Sequence, residues 1–142
     1  MQAGGVALIS VLGALIAYRQ SRIAAAKLNL DLYDRRFKVF NAAREFATVV
    51  LLTDIESNAL PKFQASTIDA VFLFNEEIEK YLDEFGVKIL KLQSSKTSLE
   101  HATTLKARER FTDEVGSQEK VVTAEMDVLV DKFKPFLKLG NI

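Results

Sequence analysis

The first eighteen residues, MQAGGVALISVLGALIAY, contain no ionisable side chain other than the Tyr18 phenol, and nothing else in the chain constrains the fold as strongly. As a helix this run spans about 27 Å at 1.5 Å per residue, just under a hydrocarbon core of roughly 30 Å. In such a core every backbone amide must bond within its own segment, so a single helix is the only spanning form open to it. Tyr18 then falls at the membrane–water interface, where Arg19 and Arg22 reach the head groups by snorkelling and Lys27 follows one turn further on. No positive segment precedes the apolar run and no small-residue cleavage site closes it, which argues against a secretory signal peptide. A buried core helix is the competing reading. The positive residues follow the run, so the positive-inside rule places the bulk of the chain in the cytoplasm.

Charge is distributed unevenly behind a formal net value of zero. Between Arg19 and Lys38 stand six basic residues against Asp31 and Asp34; between Asp54 and Glu84 stand eight acids against Lys62 and Lys80. A basic segment beside the membrane and an acidic surface further away fit this order. The balance as a whole argues against a nucleic-acid partner, which usually demands a basic excess. The chain has no Cys, so disulfides, thiolate metal sites and Cys nucleophiles are ruled out.

The residues after the apolar run continue as helix former. Arg19–Lys27 holds neither Gly nor Pro, and Ala24–Ala26 favours helix strongly. Leu28–Leu52 carries two apolar stripes: Leu30, Tyr33, Phe37, Phe40, Ala47 and Leu51; and Leu28, Leu32, Val39, Ala43, Phe46 and Val50. Two stripes predict a central helix covered on more than one side. Arg44 completes the first stripe, and is expected to bury its stem and pair with an acid on a facing helix, with a ligand site using Arg44 and facing acids such as Asp69 or Asp83 as the alternative. The segment 54–61, DIESNALP, predicts a break, and Lys62–Phe74 a short helix with Phe63, Ile68, Val71 and Phe72 inward. Asn75 is placed to cap a helix whose stripe is Ile78, Leu82, Phe85, Ile89 and Leu92, with Tyr81 alongside and Gly86 as a weak point. In the Ser/Thr-rich stretch Gln93–Thr104, Thr97 and Glu100 have the spacing of a capping box, against a helix that runs through. A turn is expected near Gly116–Ser117. The last helix then covers Gln118–Lys138 with Val122, Met126, Leu129, Val130, Phe133, Phe136 and Leu137 on one side, distorted or ended by Pro135. The pattern predicts an all-α chain: a transmembrane helix over 1–18 continuing into a three- or four-helix antiparallel bundle over 19–142.

No catalytic constellation emerges. His101, the one histidine, lies in a polar stretch beside Glu100 and reads as a surface residue, since nothing marks a partner serine on a strained turn. The acids Glu76, Glu77, Glu79, Asp83 and Glu84 are followed by no histidine at the spacing of a di-iron bundle and read as a solvated face. There is no Gly-rich phosphate loop, and neither metal nor cofactor is expected.

The run Leu28-x-Leu30-Asp31-Leu32-Tyr33-Asp34-Arg35-Arg36-Phe37-x-Val39-Phe40, just after a helix ending Ile16-Ala17-Tyr18-Arg19-Gln20, resembles an uncharacterised family of small bacterial single-pass membrane proteins with a cytoplasmic helical domain. Phe72-Leu73-Phe74, Ile78 with Tyr81-Leu82-Asp83, and Phe133-x-Pro135-Phe136-Leu137 extend the resemblance over nearly the whole chain. It implies a helical protein of the bacterial inner membrane and carries over no activity and no functional residue. The leading expectation is a membrane-anchored, non-enzymatic interaction or scaffold module contacting lipid and a protein partner or a second copy through its span. A small membrane-perturbing effector and a ligand-binding helical bundle are the alternatives.

Overall fold

The computed structural model describes residues 3–52 and 58–138. Those residues form four α-helices: α1 (Ala3–Leu52), α2 (Ala59–Leu73), α3 (Glu76–Glu100) and α4 (Leu105–Phe133), closed by a 3₁₀ turn over Lys134–Phe136. Among the described residues there is no strand.

The apolar run and the residues behind it form one unbroken helix, as the lack of breakers between Gly13 and Leu52 predicts. At 50 residues α1 is about 75 Å long. Only its last third is packed. Val39, Phe40, Ala43, Phe46, Ala47 and Val50 are buried, whereas Leu28 and Leu30, expected on the same stripes, are exposed. The stripes are therefore covered from Val39 onward, Asp31, Asp34 and Arg35 border a groove against α2, and the described side chains up to Leu30 are exposed apart from half-buried Ala26.

All four helices contribute to a single core. Small side chains at Ala43, Ala47, Ala59 and Ala70 let the helices approach closely, and rings fill what remains. Phe46 stacks on Phe63 at 5.1 Å between centroids, and Phe63 meets Phe85 at 6.3 Å. Nearer the stalk, Phe133 packs on Phe40 at 5.7 Å and on Phe74 at 5.0 Å, and Phe74 on Phe136 at 5.3 Å. Gly86, a poor helix former, has a packing role as well. A Cβ there would lie 2.8 Å from Cε1 of Phe63, so glycine is what admits the ring.

The helix ends correct several sequence expectations. Of the expected break, residues 54–57 lie outside the described residues, and α2 is already helical at Ala59. Pro61 sits in its first turn, where the missing N–H has no intrahelical partner to lose. Phe63 points inward as expected, but Ile68, Val71 and Phe72 are exposed, because Ala59, Phe63 and Ala70 take the inner face. Asn75 does cap α3, accepting a hydrogen bond from Ile78 N–H at 3.1 Å, with Glu76, Glu77 and Glu79 in the first turn. Its expected stripe is buried throughout. No cap forms at Thr97. Its hydroxyl donates to the Gln93 carbonyl four residues back, and α3 runs on to Glu100. The cap of α4 is instead Thr104, which accepts from Ala107 N–H at 3.2 Å. The expected turn at Gly116–Ser117 is helix, in the middle of α4. Val122, Leu129 and Phe133 face the core, Met126, Phe136 and Leu137 pack against it, and Val130 is exposed.

Candidate functional site

The sequence directs attention first to the stretch from Ala3 to Lys27. Its side chains from Val6 to Ile16 are exposed on every face of the helix; Ile9 keeps 71% of its surface and Leu12 60%. A run of bare aliphatic side chains is costly in water, at roughly 25 cal/mol per Å². By length and composition α1 is able to cross a membrane. Ser10 satisfies its hydroxyl inside the helix by donating to the Val6 carbonyl at 2.9 Å. Tyr18, Arg19, Arg22 and Lys27 come next on the same helix, all exposed. Arg22 sits one turn after Tyr18, its guanidinium 5.9 Å from the ring centroid. Tyrosine and arginine are thereby presented together at the polar end of the apolar run, the pairing that suits a head-group layer.

Arg44 is not where the sequence places it. It is exposed, with its guanidinium 5.8 Å from the Phe40 ring, and among the described residues it forms no ion pair. Asp69 and Asp83, the acids of the alternative ligand site, are exposed on α2 and α3. Helix phase accounts for the error: Ala43 and Ala47 take the inward positions on either side of Arg44. The arginine that does join elements is Arg36. Its Nε donates to the Leu73 carbonyl at 3.0 Å, and Nη1 reaches the Phe136 carbonyl at 3.5 Å. Its guanidinium lies 5.7 Å from the Phe74 ring and 5.5 Å from that of Phe136. It ties the end of α2 and the closing 3₁₀ turn to the point where the packed part of α1 begins. Sequence reading missed it because an arginine beside Arg35 in a basic run looks like surface.

Two further clusters brace the helices. Lys96 on α3 donates to the Val50 and Leu51 carbonyls at 2.6 and 3.1 Å, the orphan acceptors at the end of α1, and its Nζ lies 3.5 Å from Glu119. A cation there also meets the negative end of the α1 dipole. On the other side Glu125 of α4 accepts from Tyr81 at 3.1 Å and from Lys88. Burial first, and the Glu125 carboxylate second, push the Tyr81 phenol above its ordinary value. At the α3 start Lys132 donates to Glu77 at 2.7 Å and holds that carboxyl below its usual range.

His101 is exposed at the end of α3, its Nδ1 2.8 Å from the Thr97 carbonyl. Among the described residues no group of three or more His, Asp or Glu is gathered as metal ligands would be. An open groove of about 800 Å³ lies between α1 and α2, lined by Asp34, Lys38, Asp69 and Phe72 among others. Charges of both signs share it, so it favours neither an anion nor a cation.

The chain matches no family model, no curated protein and no solved structure. Geometry and composition alone therefore bear on function.

Proposed function

We propose that this protein is a single-pass, membrane-anchored interaction or scaffold module without enzymatic activity. In this reading the first turns of α1 cross the bacterial inner membrane, and the packed helices stand in the cytoplasm as an antiparallel four-helix bundle. The observation that carries the proposal is that the apolar end of α1 is exposed on all sides yet continuous with a helix whose far end is core. A soluble core helix would bury that run, whereas a membrane-spanning helix would leave it facing lipid. The contacts of Arg36 with the end of α2, Lys96 with the end of α1, and Glu125 and Lys132 with the first half of α3 are those of helices alternating in direction. The Tyr18, Arg19, Arg22 and Lys27 collar supports a cytoplasmic placement of the packed helices, each basic group near an anionic surface contributing about 1 kcal/mol. The resemblance of Leu28–Phe40 to small bacterial membrane proteins points the same way.

Alkaline carbonate extraction tests the anchor. Membranes carrying the full chain should retain it in the pellet, while a version starting at Arg19 should be soluble and helical. Release of the full chain would overturn the proposal.

A further inference from the structure

Between the apolar run and the packed helices, α1 is an exposed helix from Arg19 to Leu30, with only Ala26 half-buried. Isolated helices of this length are marginal in water, since most helical stability comes from packing an apolar face. The stalk does have such a face. Ile23, Ala26, Leu30, Tyr33 and Phe37 recur in steps of three and four, the a and d positions of a coiled coil. Ile23 keeps 67% of its surface, Leu30 51% and Phe37 38%. Tyr33 and Phe37 stack on each other at 5.9 Å along the same line. Ile9, Leu12 and Ile16 continue the spacing into the span, interrupted only by Arg19 at the head-group level.

We propose that this seam pairs, parallel and in register, with the seam of a second copy of the chain. The inference rests on the membrane-anchored reading. Three observations select that occupant. First, an anchored helix presents the same residues at the same depth in every copy, so an identical seven-residue spacing meets itself with a opposite a and d opposite d. Second, the seam ends where the packed part begins. Beyond Phe37 that face of α1 carries Asn41, Arg44 and Thr48, which line one shallow polar depression. The next position at the seam spacing, Phe40, turns into the core, so the seam is open to a partner from Ile23 to Leu30 and closes at Phe37. The other stalk stripe, Leu28 and Leu32, lies roughly opposite at 3.6 residues per turn. A helix laid along that stripe would run into the end of α2 and the 3₁₀ turn at Arg36. Third, the seam is bare beyond the span: Ile23, Leu30 and Phe37 keep 67%, 51% and 38% of their surface where a lipid layer would end. Arg22 and Lys27 flank the seam with like charge, and both stand close to the span, where anionic head groups neutralise them.

Because the chain has no Cys, single-cysteine variants of the full protein report the seam directly. Mild oxidation in membranes should convert Ala26→Cys and Leu30→Cys to disulfide dimers several-fold more efficiently than Leu28→Cys. Adding Leu30→Asp to the Ala26→Cys chain should abolish its dimer. These positions lie outside the core, so the packed helices remain folded and the loss reads the seam alone. A carbonate-resistant chain that stays monomeric at positions 26 and 30, that crosslinks best at 28, or that forms only a heavier adduct with another protein overturns the pairing and leaves the anchor intact. Release of these chains by carbonate overturns the anchor itself, and the pairing with it.

Discussion

Phe63 and Phe72 are the same residue type on the same helix, nine positions apart, and the structure assigns them opposite energetic roles. Phe63 is 6% exposed and inserts between Phe46, Phe85 and the bare Cα of Gly86; Phe72 is 85% exposed. Phe63→Ala should cost about 3–5 kcal/mol, the transfer free energy of the ring plus that of a cavity its rigid neighbours cannot fill. Phe72→Ala should stay within about 0.5 kcal/mol of the parent, as surface substitutions do. Gly86→Ala probes the same contact from the other side. In the parent its Cβ meets the Phe63 ring at 2.8 Å, so the substitution should cost about 1–3 kcal/mol by overpacking. In the Phe63→Ala background the same methyl enters an emptied space, and the better helix propensity of Ala, worth up to about 1 kcal/mol, is no longer masked. The two changes should therefore couple strongly, with the double variant more stable than additivity demands by about 1.5–3 kcal/mol. Urea unfolding of the full chain in detergent micelles, followed by tyrosine fluorescence, measures all four corners of the cycle. Additive losses, or a Phe72→Ala loss matching that of Phe63→Ala, would refute the packing described for α2.

Other consequences are simpler to test. Lys96→Met removes the donor that closes the α1 carboxyl end and should lower unfolding free energy by about 1–2 kcal/mol in the same urea assay. Asn75→Ala should cost about 1 kcal/mol, because the Ile78 amide loses its cap acceptor while the α3 stripe is untouched. Tyr81 should ionise above the ordinary tyrosine value in an absorbance titration, read as the difference between the parent and Tyr81→Phe. Its phenol is raised in the folded chain, so the stability it contributes is complete below the ordinary tyrosine value near 10 and is lost as pH rises above it. Ionisation of Tyr81 at its ordinary value would show that it is not held by burial against Glu125.

Strong periodicity is what made parts of the fold legible in the sequence. The α3 stripe from Ile78 to Leu92 is buried throughout, because each residue is large, apolar and spaced by three or four. The continuity of α1 was equally legible, since no residue between Gly13 and Leu52 breaks a helix. Where apolar residues outnumber the positions a core can cover, periodicity cannot say which stripe is turned inward. On α2, Phe63 with Ala59 and Ala70 defines one face, and Ile68 with Phe72 another; the decision falls to the small residues, whose alanines admit neighbouring helices closely. The same choice displaced Arg44, which lies on the apolar stripe of a helix wheel but points outward because Ala43 and Ala47 are the residues in contact. Propensity alone suggests a turn at Gly116 and leaves the Ser/Thr-rich end of α3 open between a new cap and a continuous helix, yet tertiary packing of Leu92, Val122 and Leu129 accompanies helix through both.

The surplus of apolar residues is itself informative about α1. A helix serving only the core would need its stripes from Val39 to Val50 and could be polar before them. Instead the apolar pattern persists through Ile23 and Leu30, both exposed, to Phe37, which borders the groove against α2 and the core ring of Phe40. Leaving these side chains in water weakens solubility and contributes nothing to the fold of a single copy. In the proposed membrane-anchored reading, a lipid layer would cover the exposed apolar side chains from Val6 to Ile16 but end near Tyr18, leaving the stalk bare. On the two proposals taken together, lipid and a neighbouring helix would account for the whole length of exposed apolar surface on α1, and neither would do so alone.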